Sequence, residues 1–379
     1  MSRIRIGVIG TGFGARVHIP GFQESGAFEV IGVVSHSQRR ADEVARQYAI
    51  PHALTDHHAL LALPGLDAVS VVVSPDRHLP LVLDVLAAGK HLLCEKPLAR
   101  NLDEARQMAA AAMAAQASGL VAMVDHEFRW QPERRRIKEL IDEGFVGTPY
   151  GATAVNHMGL FADPERPAFA WWQERARGGG WLLNSGTHLI DGLRWWLGEI
   201  EAVAGFTRVH VKQRRRGRDG GWADVDADDS FGALLRFRSG ADAVLHQSAV
   251  AVSGRSNLLE IHGSEGVLLI DGQGRLRGGR RGTAEPELLE MPARLLAGAP
   301  RAAASSAPPP GAGADAAAAT AALRGMELPP FICLARELAA AIGEGRTREP
   351  SIADAARTQE VCEAIVRSAH DGRWLTLPL

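Results

Sequence analysis

A glycine-rich turn directly follows the first predicted strand of this chain. Arg3 to Ile9 reads as a β-strand, and Gly10-Thr11-Gly12-Phe13-Gly14-Ala15 leads from it into a helix. The spacing G-x-G-x-x-A between a strand and a helix is a dinucleotide-binding fingerprint. Its first glycine permits the tight turn, its second lets the backbone approach a pyrophosphate, and its small last residue packs the helix on the strand. The turn therefore predicts a β-α-β unit that binds a dinucleotide through these six residues.

The end of the second predicted strand, Ala27 to Val34, suggests which dinucleotide is bound. A site for NAD usually has an acidic residue here, which accepts a hydrogen bond from the ribose 2′-hydroxyl. Polar and basic residues follow the strand instead, namely Ser35, Ser37, Arg39 and Arg40. Because a guanidinium pairs with phosphate through two charge-assisted bonds, these residues favour NADP(H). NAD(H) is the alternative if both arginines only face water at the start of the next helix.

Strands and helices alternate through the first third of the chain. Further apolar runs predict strands at 53–55, 68–73, 91–94 and 120–124, with helices between them. Six such strands indicate a doubly wound parallel sheet, that is, an α/β Rossmann domain. Residues that follow the fourth strand should line the same crevice as the glycine turn, because ligands bind at the carboxyl ends of parallel strands. Those predicted to contact the cofactor are Ser74, Pro75 and His78.

The fifth predicted strand ends in two opposite charges and a proline, Glu95-Lys96-Pro97. Its apolar run, His91 to Cys94, is typical of a strand that is covered on both faces. The three residues therefore lie at the carboxyl edge, and we predict that they contact the cofactor and that Lys96 takes part in the chemistry. The alternative is a surface ion pair that closes a strand, which would contribute little.

Composition excludes several classes of protein. A net charge of -2 provides no long-range field for nucleic acid or an anionic membrane, and no apolar run is long enough for a membrane span or a signal peptide. The three cysteines lack C-x-x-C spacing, which argues for a reducing compartment. We therefore expect a cytoplasmic protein that binds neither nucleic acid nor membrane. The basic cluster from Lys212 to Arg218 reads as a solvated loop, because it lacks interleaved aromatic residues.

A length of 379 residues predicts two domains. We place the boundary after residue 125, where the pattern changes to strand-like runs joined by tight turns, as in antiparallel hairpins. Residues 1–125 would form the dinucleotide-binding domain, and 126–379 a second, α+β domain. Alanine, proline and glycine dominate residues 279–324, which predicts a flexible insertion. Two helices, 331–342 and 352–370, would close the chain.

Taken together, these motifs resemble the glucose-fructose oxidoreductase, inositol dehydrogenase and rhizopine-catabolism (Gfo/Idh/MocA) family. The resemblance rests on the glycine turn with His18, on Glu95-Lys96-Pro97, and on Gly178-Gly179-Gly180 followed by His188 and Asp191. It implies a carboxyl-terminal domain with a large, mostly antiparallel open sheet, a nicotinamide cofactor, and hydride transfer to or from sugars, cyclitols and related polyols. It also implies a homodimer or homotetramer that assembles through the open sheet.

The resemblance also implies roles for four residues, which we predict to be catalytic. Lys96 corresponds to the lysine that hydrogen-bonds the reacting oxygen, and His188 to the general acid/base. Asp191 either caps or orients the helix, or takes part in the reaction. Asn184 departs from the pattern, since many sugar dehydrogenases of this family have aspartate there. Because an amide cannot exchange a proton, His188 would act alone or with Lys96.

Three functions remain open at this point: a dehydrogenase with a simplified proton relay, a nicotinamide-dependent lyase or glycosidase that borrows and returns a hydride, and a cofactor-binding sensor without turnover. Tryptophans are more often core residues than a wall for a sugar ring. With that alternative in view, the predicted substrate contacts are Arg129, Trp130, Asn156, Trp171 and Trp172. Asp125, His126 and Glu127 match no strong metal site, and we predict no metal.

Overall fold

A parallel sheet covered by helices forms the first part of the protein. The computed structural model describes residues 3–217, 220–252, 257–296 and 314–379, and only the backbone of 314–324. Within the first 125 residues it contains strands β1 Ile4–Ile9, β2 Phe28–Val34, β3 His52–Leu54, β4 Ala68–Val71, β5 His91–Cys94 and β6 Ala122–Val124. The helices between them are α1 Ile19–Ser25, α2 Gln38–Tyr48, α3 His57–Leu61, α4 His78–Ala87 and α5 Leu102–Gln116.

The six strands lie in the order β3-β2-β1-β4-β5-β6 and are all parallel. This is the doubly wound Rossmann arrangement, and it confirms the predicted fold class. The strand order reverses between β1 and β4, so a crevice opens at their carboxyl ends, where the glycine turn lies. Local signals define the helices as well, since the side chains of Ser37 and Asn101 accept hydrogen bonds from the first turns of α2 and α5.

A second, larger sheet dominates the rest of the chain. Its elements begin with α6 Pro132–Asp142, β7 Pro149–His157, α7 Thr187–Leu197, β8 Ile200–Arg208, β9 Gln213–Arg215, β10 Trp222–Asp224, β11 Ser230–Phe237, β12 Asp242–Ser248, β13 Asn257–Gly263 and β14 Gly266–Ile270. They continue with β15 Leu276–Arg280, β16 Glu287–Leu288, α8 Ala293–Leu296, α9 Ala314–Glu344, α10 Ile352–Asp371 and β17 Leu375–Thr376. In the described residues the sheet order is β16-β15-β14-β13-β7-β12-β11-β8-β17, and only the β7–β12 pairing is parallel.

One face of the larger sheet packs against helices, and the other carries exposed apolar side chains. Core residues of α7 and α10 pack with the inward side chains of β7, β8, β11 and β12. On the opposite face Phe206, Leu234 and Val244 are between 40% and 47% exposed. Leu234 lies in register with Ala204 on β8 and with Val244 on β12, so these side chains form one patch. We call this patch the open sheet face.

The last two long helices pack on the first sheet. Leu328, Phe331 and Leu334 of α9 join the core beneath β1 and α1, and Ile352 and Ala355 of α10 join the core on the other side of the sheet. The second part of the chain therefore completes both faces of the Rossmann sheet. A boundary at residue 125 stays a prediction.

The structure corrects two predictions about loops. Residues 279–324 are not one flexible insertion, because 279–280 belong to β15, 287–288 form β16, and a helix begins at Ala314; the centre of this segment lies outside the described residues. The cluster from Lys212 to Arg218 is not simply solvated over the part that the structure describes, which ends at residue 217. Arg214 lies in β9, is 1% exposed and donates to the carbonyl oxygens of Phe161, Asp163, Arg166 and Pro167.

None of the helices in the described residues combines the length and apolar content that a membrane span requires.

Candidate active site

The glycine turn after β1 is shaped for close approach of a ligand. Gly10 has a φ of +119°, and a Cβ there would lie 1.9 Å from the carbonyl oxygen of Val72, so only glycine fits. Gly12 is exposed, and no described atom lies within 4 Å of where its Cβ would be, which leaves space for a phosphate against the backbone. Phe13 is half-buried and Ala15 is buried against the sheet, in a π-helical turn, Gly14–His18, that runs into α1. These residues fit a dinucleotide.

The four residues after β2 that were predicted to contact the cofactor are two serines and two arginines. Ser35 lies 3.0 Å from Thr11, hydroxyl to hydroxyl, and is buried, while the side chain of Ser37 caps α2. Arg39 points away, with a side chain that is 83% exposed and paired with Glu43. Arg40 instead reaches over the glycine turn and donates to the Thr11 carbonyl oxygen at 3.3 Å. Arg40 is thus the guanidinium that lies beside the predicted ribose end.

The turn after β4 contacts the second part of the chain. The hydroxyl of Ser74 accepts a hydrogen bond from Arg177 at 3.1 Å, and Pro75 packs so closely on Gly178 that a Cβ there would lie 2.7 Å away. His78 is fully buried, and its ring nitrogens lie 3.0 Å from the carbonyl oxygens of Val73 and Leu98. Both ring nitrogens are therefore engaged by backbone carbonyl oxygens, and the predicted contact of His78 with the cofactor is not supported.

Glu95, Lys96 and Pro97 end β5 next to a buried cluster. The Lys96–Pro97 bond is cis. Glu95 accepts from the Lys96 backbone N–H at 3.0 Å and lies 2.7 Å from Nε2 of His18. The other ring nitrogen of His18 lies 2.8 Å from the hydroxyl of Ser70. Glu95 thus holds the turn that carries Lys96, and its predicted contact with the cofactor is not supported, since its carboxylate faces inward.

Two further acids, Asp125 and Glu127, extend this cluster beneath Lys96. His18 Nε2 also lies 3.0 Å from Asp125, whose two carboxyl oxygens are buried without a hydrogen-bond partner among the described residues. Burial and the neighbouring Glu95 raise the pKa of Asp125 well above its usual range, and burial with Asp125 does the same to the pKa of Glu127.

A set of ligands for a cation could be drawn from the same cluster. Ligand atoms of His18, Glu95 and Asp125 lie within 4.8 Å of one another, whereas the sequence had suggested Asp125, His126 and Glu127 as the triad to consider. The three side chains already bond one another and lie beside the cationic Lys96. We therefore assign them no metal.

The acid/base candidates come from the segment that enters α7. A π-helical turn, Leu182–Gly186, precedes the helix, and the ammonium of Lys96 donates to the carbonyl oxygen of Asn184 at 3.2 Å. The amide side chain of Asn184 is occupied by the Gly180 carbonyl oxygen at 2.7 Å. The Lys96–Asn184 hydrogen bond joins the carboxyl edge of the first sheet to the start of α7 and closes the cleft on one side.

His188 lies one turn further on, in an apolar and cationic setting. Its ring stacks on Phe128 at 4.0 Å and meets the edge of His126. Burial, together with the charge of Lys96, lowers the pKa of His188 well below its ordinary value. The imidazole is therefore neutral at physiological pH, which is the form that accepts a proton.

Arg129 and Asp191 bind each other instead of facing the cleft. Both are buried, and two hydrogen bonds of 2.7 Å join the guanidinium to the carboxylate. Arg129 also bonds Glu349 at 3.0 Å, and nearby His126 and Arg129 together hold the pKa of Asp191 below the usual range against the effect of burial. Neither side chain retains a free polar edge. The geometry therefore favours a positioning role for both residues over substrate contact for Arg129 or reaction for Asp191.

The other predicted substrate contacts do not form one wall. Trp130 packs with the core of the first sheet, while Trp172 packs with the core of the second sheet and meets Phe161 edge-on. Trp171 lies beside it, with 5.5 Å between ring centroids. Asn156 extends from β7 on the side of Ala152 and Ala154, which face the helices. Of the five, Asn156, Trp171 and Trp172 remain candidates near the second sheet.

Sequence reasoning missed the roles of Asp125 and Glu127. Both had been considered only as metal ligands, yet the structure brings them under Lys96. A signal was present, since they follow the sixth strand at the same carboxyl edge as Glu95.

Comparisons with known proteins agree with this architecture. Residues 4–126 match the model of an oxidoreductase family with an NAD-binding Rossmann fold, and residues 134–269 match the GFO/IDH/MocA C-terminal domain. Levoglucosan dehydrogenase of Pseudarthrobacter phenanthrenivorans is 27% identical over 100% of this chain and 99% of its own. The 1,5-anhydro-D-fructose reductase of Ensifer adhaerens is 31% identical over 70% of this chain and 75% of its own.

A solved structure of levoglucosan dehydrogenase in complex with NADH and L-sorbose superposes with a TM-score of 0.85. It is 25% identical and covers 100% of both chains. Fold and site together define an NAD-binding oxidoreductase of two-sheet architecture. The chain belongs to the Gfo/Idh/MocA family, as the resemblance had predicted.

Proposed function

We propose that this enzyme is a nicotinamide-dependent dehydrogenase that acts on a secondary alcohol, or the corresponding ketone, of a sugar, cyclitol or related polyol. One observation carries the proposal: Lys96, at the edge of the dinucleotide sheet, bonds the backbone of the segment that leads to His188. A cation and a neutral base thus flank the cleft beside the glycine turn. Relatives named for levoglucosan and 1,5-anhydro-D-fructose support a substrate of the sugar class.

The residues of the cleft divide the reaction between them. Bound nicotinamide would accept or return the hydride. The ammonium of Lys96 would stabilise the negative charge that develops on the substrate oxygen. Neutral His188 would take the hydroxyl proton during oxidation and return it during reduction. Phe128, stacked on the imidazole, would exclude water from one face of the ring.

A substrate panel tests the proposal. Purified protein would be incubated with polyols, sugars and their keto forms, and the absorbance of reduced nicotinamide followed. We expect net oxidation or reduction with at least one member, lost in His188→Asn. Release of a leaving group without net change in the cofactor would instead establish the lyase or glycosidase alternative, and cofactor binding without turnover would establish the sensor.

The preference for NADP(H) is the finer part of the proposal. Arg40, which lies over the glycine turn, would pair with the 2′-phosphate, whereas Arg39 faces solvent. We expect Arg40→Ala to weaken NADPH binding by about tenfold to a hundredfold and to leave NADH binding unchanged, since a charge-assisted bond contributes about 1.5–3 kcal/mol. Isothermal titration with both cofactors measures the effect, and Arg39→Ala is the matched control. Equal affinity of parent and Arg40→Ala for NADPH would contradict the preference.

We further propose that copies of the chain assemble into a homodimer or homotetramer through the open sheet face. Contiguous exposed apolar residues, such as Phe206, Leu234 and Val244, are typical of interaction surfaces. Leu234→Glu/Val244→Glu should yield monomers in light scattering, because two carboxylates would be buried at the interface. Met113→Glu, at a residue of α5 that is 73% exposed, should leave the assembly intact. A monomeric parent protein would refute the proposal.

A cytoplasmic location completes the proposal. The three cysteines, Cys94, Cys333 and Cys362, are all free thiols. Unpaired thiols suit a reducing compartment.

A further inference from the structure

Glu127 is a buried acid for which the proposed reaction has no role so far. It lies in the 3-10 turn Glu127–Trp130 after β6 and is 2% exposed. Its Oε2 has no hydrogen-bond partner among the described residues. An unpaired buried carboxyl oxygen is costly, and such groups are retained where they serve a purpose.

The free oxygen of Glu127 faces His188. Oε2 lies 4.0 Å from Nε2 of His188, while Nδ1 of the same ring is buried and has no partner among the described residues. A small change in a side-chain angle would bring the pair into hydrogen-bonding distance, and such contacts often tighten only when ligands bind. His188 therefore has one nitrogen toward a carboxyl group and the other unengaged.

The asparagine at position 184 makes the contact between Glu127 and His188 relevant to the reaction. The amide of Asn184 cannot exchange a proton, and it is bound to the Gly180 carbonyl oxygen. We propose that Glu127 is the carboxyl partner of His188 and exchanges a proton with its imidazole, the role that an aspartate at position 184 would otherwise have. This inference rests on the proposed dehydrogenase function and names a second acid of that site.

The proton balance of the step is simple. In oxidation, the substrate O–H bond breaks and its proton moves to the free nitrogen of His188, as the C–H hydride leaves for nicotinamide and a carbonyl forms. The opposite nitrogen of the imidazolium then passes its proton to the Glu127 carboxylate. In reduction, the carboxylic acid of Glu127 reprotonates His188, which protonates the developing alkoxide.

Several charged groups set the proton affinity of Glu127. Those that face it are Asp125, Glu95, Glu327, Lys96, Arg134 and His188. Burial and Asp125 raise the pKa of Glu127, whereas burial and the charge of Lys96 lower the pKa of His188, so a proton shared by the pair favours the carboxyl group over the imidazole. A proton held on Glu127 is available for reduction of a carbonyl, and oxidation should gain rate as the pH rises and Glu127 ionises.

Proton coupling between Glu127 and His188 can be measured without any substrate. The protein, with NADH bound and its histidines isotopically labelled, would be titrated by NMR, and His188→Asn would identify the signal. We expect the His188 signal to respond to the ionisation of Glu127 and to lose this response in Glu127→Gln. Glu104→Gln, at a buried acid of α5 that pairs with Arg100, should retain it.

Kinetics provide the second readout. On a substrate found in the panel, Glu127→Gln should lower kcat by about a hundredfold with little change in KM, because general acid–base catalysis contributes about 10²–10⁴. Asn184→Asp, added to Glu127→Gln, should restore most of the loss by supplying a carboxyl group from the other side.

An unchanged His188 titration in Glu127→Gln would overturn the inference, as would a kcat within twofold of the parent (roughly 0.4 kcal/mol). A coupled titration in a protein that turns over no substrate would leave the Glu127–His188 pair intact and refute the dehydrogenase proposal instead.

Discussion

Lys96→Met is expected to lower kcat by about a thousandfold and to leave cofactor binding within about tenfold of the parent. Removal of one preorganised donor from a developing oxyanion costs about 10²–10³ in rate, and Lys96 also carries a full charge. Its ammonium holds the backbone of Asn184 at 3.2 Å, so the variant also loosens the segment that leads to His188. Stopped-flow measurement of the hydride step would report the loss directly.

The same strand provides the control. Lys90 lies at the opposite end of β5, where its ammonium donates to the Leu66 carbonyl oxygen at 2.9 Å. Lys90→Met should therefore keep full activity. If Lys96→Met turned over within tenfold of the parent, a role of Lys96 in transition-state stabilisation would be ruled out.

Asp191→Asn is expected to destabilise the protein by about 3–5 kcal/mol. The substitution removes the buried charge partner of the Arg129 guanidinium and leaves it only the exposed Glu349, and removal of one member of a buried pair costs about this much. Equilibrium unfolding in urea, followed by tryptophan fluorescence near Trp195, would measure the change; Arg129 lies 5.4 Å over this ring.

Two comparisons separate the buried pair from ordinary ion pairs. The double variant Arg129→Met/Asp191→Leu should lose less than Asp191→Asn alone, because no uncompensated charge remains. Glu143→Gln breaks a more exposed pair with Arg136 and should change stability by about 1 kcal/mol or less. Equal losses in Asp191→Asn and Glu143→Gln would contradict the importance of the buried pair.

The Arg129–Asp191 pair also links the stability of the fold to the geometry of the candidate active site. Arg129 belongs to the turn that carries Glu127 and Phe128, and Asp191 lies one helical turn after His188, so the pair fixes the two halves of the acid/base group. Because the pKa of Asp191 is lowered in the folded state, its contribution is present above the unfolded pKa of about 3.9 and is lost only as the pH falls through its lower folded value.

Local sequence patterns predicted most of the first sheet correctly. The glycine turn and the short apolar runs act over a few residues, and each predicts its element without help from distant parts of the chain. Loops were less predictable. Residues 279–324 are poor in large apolar groups, yet the end of β15 and β16 form there because neighbouring strands supply their hydrogen-bond partners.

At the site, the sequence motifs indicated Lys96 and His188 as catalytic candidates, which stay predictions, but they did not indicate the partners of these residues. Nothing in the spacing of residue 127 to residue 188 indicates that the two meet, since they belong to a turn and a helix that are 61 positions apart. The sequence also did not indicate that the side chains of His78 and Glu95 are engaged by backbone groups, because hydrogen-bond partners depend on packing.

The sequence by itself determined that this chain builds a Rossmann sheet with a glycine-rich turn and a lysine at its carboxyl edge, because these features depend on local geometry and on a strict order of strands. Only the tertiary structure decided which charges are available. It paired Arg129 with Asp191, turned Arg39 to solvent and Arg40 over the glycine turn, and brought Glu127 to His188. The physical reason is that burial and neighbouring charge, which set both the pairing and the pKa of each group, arise only when distant segments pack together.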